Sequence, residues 1–172
     1  ERPKSRKISP GLMKWQRAGA VCEMQAGESL IDFGSGPCRA TKEFQVKGLD
    51  VLAIDFAPNA REHGDVPFVE ACLWEIPDAV QPADYGFCTD VMEHIPEAKV
   101  PAVLANIARL TTKAVYFRIA TRPDKMGPKL LNQPLHMTVR DGEWWRRQVE
   151  AHFELVDVVE MTGRDVMLLA RT

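Results

Sequence analysis

Residues 30–41 read LIDFGSGPCRAT. An apolar run rises to an acid, and two glycines one residue apart then break it, so an extended chain must turn sharply and re-enter as a helix. A strand feeding a helix through a tight turn is half of a parallel βαβ unit, which restricts the chain to α/β architectures. The pattern recurs downstream. DVLAIDF at 50–56 is a second strand closed by the helix-starting APNA, VPFVEA at 66–71 a third, and DYGFCTD at 84–90 a fourth leading into VMEHIPE. KAVYFRIA at 113–120 is the fifth, and ELVDVVEM and RDVMLLAR, joined by Thr162 and Gly163, read as a closing hairpin.

Helices fill the intervals. Leu12, Trp15, Ala18, Val21 and Cys22 share one helical face over about residues 11–24, and Ala40 to Gln45 continue the glycine turn as helix. Val103, Leu104, Ile107 and Leu110 mark an amphipathic helix from Pro101; Trp145, Val149 and Phe153 mark a last one capped by Asp141. The expected fold is a three-layer α/β/α sandwich, a Rossmann-like, mostly parallel seven-stranded sheet with an antiparallel C-terminal hairpin. At 172 residues and 45% hydrophobic content, one domain over 1–172 is expected.

Charge and cysteine content narrow the partners. A net charge of −2 gives no global field for drawing in nucleic acid. The basic ERPKSRK opens a tail over residues 1–10 that reads as solvated, with no apolar stretch behind it to make a leader. No run of 18 apolar residues exists, so no membrane span is expected. Because the chain opens on Glu1, a processed or longer parent is expected. Cys22, Cys38, Cys72 and Cys88 show neither CxxC spacing nor histidines at finger spacing, so no metal is expected and the cysteines suit a reducing cytoplasm.

In open sheets of this type a ligand sits at the carboxyl ends of the strands, which here are Gly34 to Cys38, Asp55, Ala71 to Trp74 and Asp90 to His94. A lone GxG serves either a dinucleotide or S-adenosylmethionine. Arg39 stands where a dinucleotide fingerprint needs its third glycine. Asp32, two residues ahead of Gly34, would repel a pyrophosphate but attract, directly or through water, the cationic amino group of a methionine moiety. Asp55 is placed to accept ribose hydroxyls from either cofactor. The charge argument favours S-adenosylmethionine over a nicotinamide cofactor.

With these residues in view, the chain resembles the class I S-adenosylmethionine-dependent methyltransferases. IDFGSGPC at 31–38 matches the family's acidic glycine motif, LAIDFAPNA at 52–60 its ribose-binding strand end, ACLWEIPD at 71–78 its adenine segment and CTDVMEHIPE at 88–97 its fourth motif. The resemblance implies that Asp32, Gly34, Gly36, Asp55, Phe56, Leu73, Trp74 and Asp90 bind the cofactor, with Leu73 and Trp74 flanking adenine. Two positions depart from the pattern. Cys38 replaces the third glycine, which puts a side chain near the methionine end; Cys72 replaces the aspartate after the third strand, leaving the adenine amino group to backbone or Glu75.

Methyl transfer from a sulfonium is an in-line displacement that needs alignment first and a base only when the acceptor holds a proton tightly. In relatives with an EH-P signature after the fourth strand the histidine lies near the transferred methyl, which implies His94 as base or acceptor-orienting group, with Glu93 shaping the pocket. His136 lies in the proline-rich stretch 121–138, expected to be an acceptor-side loop from which it could close over the acceptor; Trp144 is a lesser candidate to roof the pocket beside it. No Asn/Asp-Pro-Pro-aromatic motif or catalytic Pro-Cys follows the fourth strand, so base methylation is disfavoured and a small-molecule acceptor expected. The alternatives are a nucleic-acid-derived acceptor and a non-catalytic module that keeps the fold as a partner or regulatory subunit.

Overall fold

A computed structural model describes residues 14–172, so the basic tail and Leu12 lie outside the described residues. Seven strands form one sheet: β1 (Ser29–Phe33), β2 (Asp50–Asp55), β3 (Phe68–Glu70), β4 (Ala83–Thr89), β5 (Thr111–Ala120), β6 (Leu155–Met161) and β7 (Asp165–Arg171). Their order is β3-β2-β1-β4-β5-β7-β6. The first five run parallel, and β7 enters antiparallel between β5 and β6, as the hairpin reading required.

Alternation along the central strands splits the core into two layers. In β7, Val166, Leu168 and Ala170 pack on one face while Met167 and Leu169 pack on the other. The first face is covered by α3 (Val100–Arg109) and α5 (Gly142–Glu150), the second by α1 (Trp15–Val21) and α2 (Arg39–Val46). On the second face a row of rings runs from Trp15 to Phe44 to Phe87 to Tyr116 with centroids 5.8, 5.2 and 6.3 Å apart. These offset and edge contacts tie α1 and α2 to the middle of the sheet. Asp141 caps α5 as expected, accepting the Trp144 N–H at 2.7 Å. No helix among the described residues is long and apolar enough to cross a membrane.

Two local expectations fail. APNA makes a single 3₁₀ turn, Pro58–Ala60, and Arg61 is already extended. The following residues offer no apolar stripe to bury, and the Arg61 guanidinium instead folds the segment back by donating to the carbonyls of His63, Gly64 and Val66. The stretch 121–138 contains a five-residue helix, α4 (Met126–Leu130), organised by Asp124: its carboxylate accepts the N–H groups of Gly127, Leu135 and His136. Replacing Phe44, which is fully buried in the ring row, by alanine is expected to lower unfolding free energy by about 3–5 kcal/mol in urea titration, with the far-ultraviolet spectrum retained.

Candidate active site

Parallel strands bring their carboxyl ends to one rim, and the turns that leave this rim are held in left-handed backbone. Gly34 (φ +76°) follows β1 and Asp90 (φ +56°) follows β4. A Cβ on Gly34 would sit 2.5 Å from a methyl carbon of Val91, so only glycine lets the two turns approach. Cys38 also holds a left-handed φ, +59°, at the start of α2. Its backbone thus keeps the conformation a glycine would take. Its buried sulfur packs 3.6 Å from Ser35 Oγ, and the residue does not line the cavity described next.

A cavity of about 370 Å³ opens over this rim, within the range of small-molecule sites. Gly34, Asp55, Phe56, Leu73, Trp74, Asp90 and His94 line it together with Ala71, Cys72, Val91, Ile95, Pro96 and Met137. Asp55 holds the turn itself: one carboxylate oxygen accepts the Gly36 N–H at 2.8 Å and the other the Ala57 N–H at 2.9 Å. Lone pairs remain on both oxygens for further donors. Phe56 is 72% exposed beside it, an apolar ring left for a ligand to cover. Leu73 and Trp74 sit on the same wall, and Leu73 is fixed by its carbonyl accepting from Asn106 Nδ2 at 3.0 Å.

Asp32 and Gly36 are not among the lining residues. Asp32 is only 3% exposed and accepts the Thr41 hydroxyl at 2.5 Å. Burial pushes its carboxyl up to about 7, against the Thr41 bond, which favours the charge, and with a smaller push from Asp55. Glu75 and Trp144 also stay away from the cavity. Glu75 is exposed, and Trp144 packs edge-on against the buried Trp145 at 4.8 Å with the Arg140 guanidinium over its face. Helical geometry sends neighbouring side chains about 100° apart, and burying Trp145 turns Trp144 toward Arg140.

Asp90 is held by an ion network that the sequence reading missed. Arg118 on β5, 12% exposed, pairs with Asp90 and, at 3.0 Å, with Asp165 at the start of β7. Its signal was present as one cation inside the apolar run KAVYFRIA. Among the described residues nothing hydrogen-bonds to Asp90 Oδ2, which is buried.

Of the three residues expected on the acceptor side only His94 lines the cavity; Glu93 and His136 stand behind it. Glu93 and His94 lie on the 3₁₀ turn Met92–His94, and the Glu93 carbonyl accepts the N–H groups of Met137 and Thr138 at 2.8 and 3.0 Å. These bonds bring His136 to His94, ring centroids 4.9 Å apart and perpendicular. His94 Nδ1 donates to the Leu135 carbonyl at 2.9 Å, and burial holds its pKa below 6.5, so the ring is neutral at pH 7 with its lone pair on Nε2. Glu93 is 1% exposed; burial pushes its carboxyl up to about 7.

Comparison with known proteins identifies the family and the fold. A family model described as "Methyltransferase domain" matches residues 12–163. The chain belongs to that family. Its fold is the class I S-adenosylmethionine-dependent methyltransferase fold. The PH0226 protein of Pyrococcus horikoshii superposes with a TM-score of 0.73 at 10% identity, covering 92% of this chain and 87% of its own. The N-terminal domain of EvdMO1, solved with S-adenosylhomocysteine bound, gives 0.70 at 13% identity over 96% of this chain and 82% of its own. Human N-acetylserotonin methyltransferase, in complex with S-adenosylmethionine, gives 0.62 at 16% identity over 84% of this chain and 47% of its own. No curated protein matches the chain by sequence.

Two outcomes check the electrostatics. Arg118→Met strands two mostly buried carboxylates and is expected to cost about 3 kcal/mol in urea unfolding. Arg171→Met, which breaks the exposed pair with Asp157, is expected to cost less than about 1 kcal/mol. Because folded Asp32 holds its proton more tightly than the unfolded carboxyl, its stabilisation is complete below about pH 4 and is lost as pH rises through about 7. Asp32→Asn is therefore expected to remove up to about 1.4 kcal/mol per pH unit from the slope of stability across that window.

Proposed function

We propose that this methyltransferase transfers the methyl group of S-adenosylmethionine to a small-molecule acceptor bound beside Glu93, His94 and His136. The observation that carries the reading is the cavity: one end is lined by Gly34, Asp55, Leu73, Trp74 and Asp90, the other by the histidine turn. The residues suit the cofactor. Asp55 keeps lone pairs for ribose hydroxyls, Phe56, Leu73 and Trp74 offer apolar surface for an adenine, and Asp90, paired with Arg118 through Oδ1, has Oδ2 left for the amino group. Asp32, beneath the glycine turn, adds a carboxyl that a nearby cation would favour in its ionised form.

When bound, S-adenosylmethionine supplies a methyl on a sulfonium sulfur, open to in-line attack. The chain's part is to exclude water, align and accept charge. Ile95 and Met137, which line the cavity with His94, keep the reacting end apolar. His94, neutral and with Nε2 free, orients the acceptor or takes its proton, while the Leu135 carbonyl fixes the ring through Nδ1. Glu93, whose carbonyl pins the long loop, and His136, whose ring packs against His94, support that ring from behind the cavity lining. Exposed Leu135 and Met137 beside the opening favour an acceptor with an apolar part.

Calorimetric titration with S-adenosylmethionine and S-adenosylhomocysteine is expected to show micromolar binding of both, and silence from both overturns the reading. Asp55→Asn, which keeps one acceptor oxygen, is expected to weaken S-adenosylhomocysteine at least about tenfold, one charge-assisted bond's worth. Unchanged affinity in that variant removes Asp55 from the ribose site.

A further inference from the structure

Glu93, His94 and His136 each present one donor atom, and these atoms all lie within 4.8 Å of one another. Two come from the turn after β4 and one from the loop pinned to that turn, so backbone bonds hold the three together. In both rings Nδ1 donates to a main-chain carbonyl: His94 to Leu135 at 2.9 Å and His136 to Arg122 at 2.7 Å. Nε2 is left as each ring's remaining nitrogen, and no hydrogen bond reaches either one among the described residues. Glu93 Oε2 is buried without a hydrogen-bond partner among the described residues.

Two imidazoles and one carboxylate therefore converge, none of them paired with a cationic side chain among the described residues. A cation placed between such groups is attracted by all three. Imidazoles whose second nitrogen donates to a backbone carbonyl are oriented as metal-ligating histidines are. Two imidazoles and one carboxylate form a ligand set that leaves coordination positions open on one side.

We propose that Glu93, His94 and His136 bind a divalent transition-metal ion at the acceptor end of the cavity. Bonds of about 2.1 Å place neighbouring donors about 3–3.5 Å apart, so the side chains close inward by about 1 Å on binding. His94 lines the cavity, which puts the ion's open side within reach of an acceptor. Resting on the methyl-transfer reading, the ion takes over the orienting role of His94, because its charge makes a bound hydroxyl easier to ionise. The acceptor class is then an oxygen nucleophile, favoured when a second oxygen stands next to the first and can share the ion.

Tag-free protein, stripped with chelator, is titrated with Co²⁺ followed by visible absorption and with Mn²⁺ followed by electron paramagnetic resonance. The expected result is one ion per chain at micromolar affinity, with a cobalt spectrum of nitrogen and oxygen ligation. His94→Ala and His136→Ala are each expected to weaken binding at least about tenfold, and Glu93→Gln likewise, while His152→Ala leaves it unchanged. Circular dichroism and S-adenosylhomocysteine titration on each variant report the fold and the donor site separately. Failure of the wild type to take up either ion at about 1 mM overturns the site, as does uptake that survives in the His94→Ala/His136→Ala double variant. Intact ion binding beside absent S-adenosylhomocysteine binding would overturn the donor reading and leave the ion site standing.

Discussion

Two neighbouring strands, β1 and β4, both end in a residue with left-handed backbone, and the rest of the site follows from how closely those two ends approach. Gly34 accommodates Val91 because it has no Cβ. Asp90 holds a conformation costly for a side-chain-bearing residue, and its ion pair with Arg118 and its N–H bond to the Arg118 carbonyl offset that cost. With both turns fixed, Asp55 reaches the Gly36 N–H and the chain after Asp90 curls into the 3₁₀ turn that carries Glu93 and His94. The strand-end wall of the cavity and the turn that carries His94 are thus set by a single contact between turns.

Charge is distributed unevenly around that contact. Asp32 and Glu93 are buried acids whose protons are held to about pH 7, whereas Asp90 is paired with a cation. A carboxyl that is half protonated near neutrality responds to whatever binds beside it. Buried behind the cavity lining, these two acids avoid adding two fixed anions to the Asp90 carboxylate.

The strands were readable from period and punctuation: β1 and the closing hairpin stand where their apolar runs predict, and Asp141 caps α5. Gly34, Asp55, Leu73, Trp74, Asp90 and His94 reach the cavity because strand ends place them there whatever their neighbours do. Sequence fails where a side chain has a choice of partners. Trp144 prefers Arg140 and the flank of Trp145 to the cavity, and the APNA turn stops because Arg61 captures three carbonyls. The meeting of His94 with His136 depends on bonds from Met137 and Thr138 to one carbonyl, and Asp124 shapes the loop that carries them. Nothing in local spacing encodes such long-range bonds.

The placement of β7 has a temporal side. Because β7 lies between β5 and β6, the flank of β5 stays an open edge until the last residues of the domain are available. Arg118 finds Asp90 on its neighbouring strand early, but Asp165 arrives only with β7. On a ribosome the cavity floor would assemble from β1, β2 and β4 first, and the ion network steadying Asp90 would close last. The order of synthesis leaves the strand-end chemistry unfinished until β7 has been made.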